Sequence, residues 1–329
     1  MNNTGLANLG NTCFLNACLQ ALYRTHELTP VLNKPANRQH CDIALAWNEL
    51  RKAMLTSNAP VSPNQFVNTV QKIARKKNRD LFTGWNQNDM PEFLLFMIEC
   101  IHESVSRKVS ISIAGTTQNT TDELAIKCYS MIRDYYSKDY SEVLDSFYGV
   151  YVSEIMSADG RVRLSIKPES FFVLDLPIPR GSVASLYDCF DTHVASEMLS
   201  GENAWYNETA KRKEDVNKRI RFWNFPSVLI IVLQRFSPDG RHKHNGFISC
   251  PLENLDLSKY VVGYNPKSYV YDLYAVCNHI GSVHGGHYTA FVKTESGSWV
   301  HCNDQIIEPV SNIITPMTYC LFYRKKIRL

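Results

Sequence analysis

A cysteine near the start of the chain and a histidine near its end are the residues best suited to covalent chemistry. Cys13 follows the turn-forming stretch "LGNT" and opens an apolar segment with helical spacing. Asn11 or Thr12 can cap that helix, which puts Cys13 in its first turn, where free N–H groups and the helix dipole favour a thiolate. A buried thiol that only packs fits the same local pattern, so the two interpretations stay open.

A nucleophilic thiol needs a base, and the base needs an orienting group. His287 is the candidate base, because it follows two glycines that allow another chain to approach and precedes the strand-like "YTAFV". Asn303 or Asp304 can hydrogen-bond its far nitrogen and fix its tautomer. His279 can pack beside the site. A histidine at a turn is more often a surface residue, and we interpret three others as loop residues: His242, His244 and His284.

Composition excludes several classes of protein. The 329 residues are 44% hydrophobic and 20% charged, which is enough for a substantial core in one large domain. A net charge of +3 gives no reason to expect nucleic acid. The longest obvious apolar run, "VLIIVL", is only as long as a strand, and the chain starts without a secretory signal. We therefore expect a cytoplasmic, possibly nuclear, protein that is not secreted and has no membrane partner.

The ten cysteines are scattered, and no two of them form a C-x-x-C pair. This spacing does not support a clustered zinc ribbon, and it differs from the dense disulfide framework of a small secreted domain. We expect nine of the ten to be reduced thiols, most of them buried.

Hydrophobic periodicity changes along the chain. Helical spacing predicts helices over 41–55, 63–77, 89–105 and within 121–138, with Pro91 in a first turn and Thr121 or Asp122 as a cap. Residues 110–121 are predicted to be a strand-like excursion or an exposed loop. Alternation predicts strands over 147–179, with a turn at Asp159-Gly160, and again over 218–236. Residues 185–199 are predicted to be helical. The sequence therefore predicts an α+β fold around one cleft.

Four separated segments together resemble the ubiquitin-specific protease family. "GLANLGNTCFLNACLQAL" resembles its cysteine box, and "YDLYAVCNHIGSVHGGHYTAFVK…SWVHCNDQIIEPV…YCLFYRK" resembles its histidine box. Between them, "NQNDMPEFLLFMI" and "PSVLIIVLQRFSPDGRHKHNGFISCPLENLDLSKY" resemble two further family segments. The resemblance covers nearly the whole chain and is weakest over 104–140 and 180–220.

The resemblance implies a papain-like cysteine protease with a right-hand architecture. It implies a single catalytic domain over 1–329, with a helical thumb (1–142), β fingers (143–225) and a β-rich palm (226–329). The implied activity is thiol-dependent hydrolysis of peptide or isopeptide bonds at the C-terminal glycine of ubiquitin, without cofactor or metal. The implied partners are ubiquitin and ubiquitinated proteins, and we expect a monomer.

The family's catalytic roles can be carried over to five residues. The resemblance implies that Cys13 is the nucleophile, His287 the general base and Asn303 its orienting residue, with Asp304 as an acid that assists or substitutes. Asn8 matches the side chain that helps to build the oxyanion hole. A simple turn residue is the alternative for Asn8, and the local sequence alone favours it.

The resemblance also implies a channel for the extended, basic tail of ubiquitin. Asp89 and Glu92 match acids that would pair the tail arginines, and Asp89 can also be a helix N-cap. The segment 235–246 matches a mobile loop that covers this channel. The residues implied to line or contact the tail are Gln87, Asp89, Glu92, Gly285, Gly286 and Tyr288.

The chain departs from the family pattern at three places. The finger stretches 150–165 and 200–216 have no cysteine, so we predict a finger without zinc, held by sheet packing alone and potentially mobile. Asn88 and Pro91 stand where the family has glutamine, which puts one tail contact in doubt. Cys302 replaces an aromatic residue. Two alternatives remain open, a ubiquitin-binding relative without activity and a protease for another ubiquitin-like protein.

Overall fold

The structure is a computed structural model that describes residues 3–34, 41–179, 181, 184–282 and 285–327. His284, predicted above to be a loop residue, lies outside these ranges. Within them the first third of the chain is helical and the remainder is mostly strands, which confirms the α+β prediction. None of the helices in the described part is long and apolar enough to cross a membrane.

The helices follow the predicted hydrophobic periodicity. Pro91 does lie in the first turn of its helix, and 111–118 form an irregular, mostly exposed segment. The eight α-helices among the described residues are α1 (Cys13–Tyr23), α2 (Thr29–Leu32), α3 (Cys41–Thr56), α4 (Asn64–Lys76), α5 (Met90–Val105), α6 (Thr120–Tyr136), α7 (Glu142–Phe147) and α8 (Leu186–Val194).

Two predictions about helix ends are wrong. The cap of α6 is Asn119, whose side chain accepts from the N–H groups of Thr121 and Asp122, while the Asp122 carboxylate accepts from the N–H of Asn119. This reciprocal box starts the helix before either predicted cap. The predicted helix over 185–199 ends at Val194, and Glu197–Leu199 forms a strand.

The strands form one large and one smaller antiparallel sheet, with two short ribbons. The larger sheet has the order β15-β14-β13-β12-β16-β9-β3, in which only β3 and β9 are parallel, and β11 pairs with β12; the smaller one is β2-β1-β8-β5. The strands are β1 (Gly149–Ser157), β2 (Arg163–Phe171), β3 (Val173–Leu176), β4 (Ala184–Ser185), β5 (Glu197–Leu199), β6 (Trp205–Asn207), β7 (Arg212–Glu214), β8 (Val216–Asn224), β9 (Val228–Leu233), β10 (Ile248–Ser249), β11 (Leu255–Asp256), β12 (Val270–Ser282), β13 (Gly285–Lys293), β14 (Trp299–Asn303), β15 (Ile306–Pro309) and β16 (Thr318–Lys325).

The large sheet separates two hydrophobic cores. On one face it packs against the helices of the first third, and α1 contributes an almost entirely buried apolar segment to that core. The other face packs with α8 and the segment around Tyr260. A small third core joins α6 to β1 and β8. Helix α1 therefore packs against β12, β13 and β14, so that residues near the start of the chain lie next to residues from its last third.

Candidate active site

Cys13 lies at a cavity of about 380 Å3 between the helical part and the large sheet. Only 4% of the residue is exposed, so a reacting group has to enter this cavity to reach the sulfur. The residues that line it are Cys13, Phe14, Gln87, Asn88, Asp89, Phe236, Gly240, His279, Ser282, Gly285, Gly286 and Tyr288. His279 thus packs beside the site, as predicted.

The start of α1 only partly matches the expected cap. Thr12 occupies the N-cap position, but its side chain does not cap the helix; its hydroxyl accepts from the N–H of Leu9 at 3.0 Å. The N–H groups of Cys13 and Phe14 therefore remain near the thiol and favour its ionisation. Burial outweighs them and raises the pKa of the Cys13 thiol, which opposes the thiolate that the helix start favours.

His287 lies on β13, and its ring forms a hydrogen bond with Asn303 at the end of β14. Its Nε2 lies 2.7 Å from Asn303 Oδ1, and because an amide oxygen only accepts, this nitrogen carries the proton. Nδ1 is then the nitrogen with a free lone pair. The backbone N–H of Tyr288, the residue after His287, lies close enough to Cys13 to favour its thiolate. The packing of α1 on β13 thus brings the predicted nucleophile beside Tyr288, the residue that follows the predicted base.

Asp304 has different partners from Asn303. Its Oδ2 accepts from Asn8 Nδ2 at 2.9 Å, and its Oδ1 accepts from Asn16 Nδ2 at 2.8 Å. Asn8 Oδ1 in turn accepts from the N–H groups of Gly10 and Thr12. Asp304 therefore fixes the amide of Asn8 next to the first turn of α1, and the structure gives it no bond to the histidine among the described residues.

Asn16 is a site residue that sequence reasoning missed. It is on the second turn of α1 and is 2% exposed, on a helix whose other buried side chains are largely apolar. A buried amide needs partners, and Asn16 donates to Asp304 and to the carbonyls of Leu6 and Ala7. The sequence feature that could have identified it is a polar side chain at a core-facing position of an apolar helix.

Gln87 joins the helical part to the large sheet across the cavity. Its Nε2 donates to Gly286 O at 3.2 Å, and its Oε1 accepts from Gly286 N at 3.1 Å. At Gly285, which has φ +154°, a Cβ would lie 2.8 Å from Gln87 Oε1, and at Gly286 it would lie 2.5 Å from His279 Nε2. At Gly286 a Cβ would also lie 2.3 Å from the carbonyl oxygen of Ile280, so the neighbouring strand leaves no room for a side chain there.

Asp89 is the N-cap residue of α5, but its carboxylate serves two tyrosines instead of capping the helix. Its Oδ1 accepts from Tyr288 OH at 3.1 Å and its Oδ2 from Tyr319 OH at 3.0 Å. Burial raises the pKa of Asp89 to about 6, although the two hydroxyl donors act in the opposite direction. Tyr319 was not predicted as part of the site.

The loop over 235–246 reaches the same cavity through Phe236 and Gly240. Lys243 Nζ donates to the carbonyls of His279 at 2.7 Å and Gly281 at 3.2 Å, which ties the loop to the end of β12. His242 and His244 are loop residues, as predicted. Glu92, by contrast, is exposed on α5 and, among the described residues, does not line the cavity.

A metal site has no support in the described ranges. No group of three or more His, Cys, Asp or Glu side chains there is arranged to hold an ion. In the family that the sequence resembles, the fingers carry the zinc ligands. The corresponding segments here, 150–165 and 200–216, have no cysteine, so the residues present do not fit a zinc ribbon.

Comparisons with known proteins agree on one family. The profile described as ubiquitin carboxyl-terminal hydrolase matches residues 4–323. Ubiquitin carboxyl-terminal hydrolase 2 of Bos taurus is 32% identical over 339 residues, which cover 97% of this chain and 54% of that protein. Ubiquitin carboxyl-terminal hydrolase 21 of Homo sapiens is 32% identical over 354 residues, which cover 98% of this chain and 61% of that protein. The chain thus spans about half the length of the curated relatives it matches.

Proposed function

Because the chain belongs to the ubiquitin carboxyl-terminal hydrolase family, which has a papain-like architecture, we propose that it is a thiol-dependent deubiquitinase. It would cleave the peptide or isopeptide bond after the last glycine of ubiquitin, as a monomer and without a cofactor. The observation that carries this proposal is the packing of α1 on β13, which sets Cys13 beside the residue that follows His287.

In the proposed reaction, His287 Nδ1 removes the proton from the Cys13 thiol, whose pKa burial raises. The sulfur attacks the carbonyl carbon of the last glycine and forms a tetrahedral intermediate. His287 then gives its proton to the leaving amine, and a thioester remains on Cys13. Water, deprotonated by His287, attacks the thioester and releases the ubiquitin carboxylate and the thiol. Asn303 holds the ring in the tautomer that this sequence requires.

The negative oxygen of the tetrahedral intermediate would be stabilised by Asn8 and the backbone N–H of Cys13. One N–H of the Asn8 amide is bonded to Asp304, which leaves the other for the oxyanion. Because Asp304 and two backbone N–H groups hold this amide in place, it need not reorganise during the reaction. A donor of this kind typically contributes about 3 kcal/mol to the lowering of the barrier.

The tail of ubiquitin would lie in the cavity beside Cys13. Its final two glycines, which have no side chains, would suit a passage bounded by Gly285, Gly286 and Gln87. Asp89, with Tyr288 beside it, and the exposed Glu92 would pair the tail arginines. The Gln87 amide already forms hydrogen bonds with the N–H and the carbonyl of Gly286. It would therefore form a wall of the passage and would not be available to bind the tail through these two groups.

The proposal is tested by hydrolysis of ubiquitin that carries a fluorogenic amide on its last glycine. We expect the chain to release the dye, and Cys13→Ala to abolish release. Cys250→Ala is the matched control, since Cys250 is a free and partly exposed thiol away from the cavity, and it should retain activity. Tight ubiquitin binding without turnover would instead support the inactive relative. Turnover only of another ubiquitin-like reporter would overturn the assignment of the substrate.

A further inference from the structure

Two exposed isoleucines flank the His287–Asn303 pair on the large sheet. Ile280 on β12 is directly opposite His287 on β13, and Ile306 on β15 is directly opposite Asn303 on β14. Ile280 is 46% exposed and Ile306 is 59% exposed. We call these two residues the isoleucine pair.

Sheet geometry puts all four side chains on one face. Directly opposed residues of an antiparallel pair point to the same side, so Ile280 lies beside His287 and Ile306 beside Asn303. The 2.7 Å bond between His287 and Asn303 requires that these two share a face. Over three strand spacings, the isoleucine pair therefore extends about 15 Å, with the polar pair between its members.

The isoleucine pair is separate from the cavity beside Cys13. Neither isoleucine lines the cavity among the residues described here. If the cavity takes the ubiquitin tail, the isoleucine pair lies outside the tail's path.

The proposed chemistry identifies what lies against this face. His287 gives a proton to the leaving amine, so the atoms bonded to that amine must lie next to the imidazole. In a conjugate, those atoms are the aliphatic side chain of a lysine and the protein surface around it. Resting on the proposed function, we infer that the isoleucine pair contacts the acceptor protein, namely the lysine's methylene groups and apolar side chains beside that lysine.

A comparison of two leaving groups tests this inference. The first substrate is ubiquitin with a coumarin amide, whose leaving group is too small to reach both isoleucines, and the second is a ubiquitin dimer joined through a lysine. For the double variant Ile280→Ser/Ile306→Ser, kcat/KM for the dimer should fall about fivefold or more, as expected from the loss of two half-buried apolar contacts. The value for the coumarin substrate should change less than about twofold.

Leu45→Ser is the matched control, because Leu45 is a similarly exposed aliphatic residue, on α3. It should leave both substrates unaffected, and thermal melting should confirm that each variant is folded. An equal loss for both substrates would overturn the inference, since the isoleucines would then support the His287–Asn303 pair itself. Unchanged turnover of the dimer would also overturn it. Failure of the unmodified chain to cleave either substrate would instead refute the proposed function.

Discussion

Asn303 and Asp304 are adjacent in sequence and bond different parts of the candidate site. Asn303 is bonded to the imidazole of His287, whereas Asp304 holds the amides of Asn8 and Asn16. The two side chains should therefore contribute to different steps. Asn303 should govern the orientation of the base, and Asp304 should govern the geometry of the oxyanion donor.

This division predicts different phenotypes for Asn303→Ala and Asp304→Ala. Removal of the Asn303 amide frees the ring, so kcat should fall about a hundredfold and the pH profile of kcat should shift, because the tautomer is no longer fixed. Removal of the Asp304 carboxylate should lower kcat about tenfold or more by loosening Asn8. Because the Asp304 charge raises the pKa of the Cys13 thiol, its removal should also move the pH profile to lower pH. Steady-state kinetics on a ubiquitin reporter across pH would measure both.

Asn8→Ala provides the control for this pair. If Asp304 acts through Asn8, the double variant Asn8→Ala/Asp304→Ala should be little worse than Asn8→Ala alone. Additive losses would show that Asp304 acts independently of Asn8.

If ubiquitin binds as proposed, the buried carboxyl of Asp89 should make that binding sensitive to mild acid. Its pKa is raised to about 6 in the unliganded protein, whereas a bound tail arginine would lower it. Affinity that depends on the ionised form is therefore present above about pH 6 and falls as the pH drops through that value. The same shift means that Asp89 favours folding when protonated, and that this contribution is lost as the pH rises through about 6.

We predict that ubiquitin binds the inactive Cys13→Ser variant about tenfold more weakly at about pH 5 than at about pH 7. Titration calorimetry would measure this directly, without the pH dependence of turnover. Addition of Asp89→Asn should give weaker binding that is flat over the same range. A profile for Cys13→Ser that stays flat until about pH 4 would contradict the role of Asp89.

The sequence suggested the candidate nucleophile and base, but it did not show which residues hydrogen-bond to the groups around them. Cys13 and His287 stand out because their chemistry requires those side chains near turns and glycines. The partners of Asp304 and Gln87 could not be read from the chain, because both bonds join residues at least 199 positions apart and depend on packing. Asn16 is different, because a polar residue on a buried helix face has to form hydrogen bonds and could have been identified from the sequence.

At the scale of elements, the small sheet is held by more than the packing predicted for it. Glu154 on β1 is fully buried and lies between three arginines on the neighbouring strands, Arg163, Arg219 and Arg221. Burial opposes ionisation of Glu154, but the three arginines outweigh it and lower its pKa. The Glu154 carboxylate thus links β1, β2 and β8 by ion pairs, in the part of the chain where the family's zinc ligands are missing.

Glu154→Ala should therefore destabilise the protein by about 2–3 kcal/mol. This lies below the usual cost of breaking a buried pair, because the arginines stay between 32% and 49% exposed and keep part of their hydration. Chemical denaturation would measure it. Glu169→Ala, which removes a partly exposed carboxylate of the same sheet, is the control and should cost less than about 1 kcal/mol.

The stabilisation by Glu154 should also depend on pH with a defined sign. A depressed carboxyl pKa contributes stability above the ordinary value of 4.5, and that contribution is lost as the pH falls through the folded value. The difference between the unmodified chain and Glu154→Ala should shrink in acid. A difference that is constant with pH would mean that packing, and not charge, holds the sheet.

Most elements were predictable because their hydrophobic patterns are strong, such as the helical spacing of α5 and the continuous apolar run of β9. The errors occurred where local signals compete. Four consecutive residues from Asn119 to Asp122 can all cap a helix, and only the folded backbone decides between them. Glu197–Leu199 has helix-forming residues, yet its pairing with Lys218, Asn217 and Val216 of β8 overrides that propensity.

At the scale of the whole molecule, hydrogen bonds and close packing join the first residues of the chain to its last third. Leu6 N donates to Asp304 O at 2.9 Å, and Gly5 packs so closely on Gln305 that a side chain there would collide. Arg324 on β16 donates to Glu27 and to the carbonyl of Arg24, just beyond α1. These contacts fix α1 against the large sheet and hence hold Cys13 against β13, the strand that carries His287.

Covalent trapping tests this convergence most directly. Ubiquitin with an alkyne in place of its last glycine should modify the chain once, and peptide mass spectrometry should place the adduct on Cys13. His287→Ala should slow the modification while thermal melting shows an intact fold, since the sulfur would lose its base. Modification of another thiol, or no adduct in a folded chain that binds ubiquitin, would contradict the claim that Cys13 and His287 act together on the ubiquitin tail.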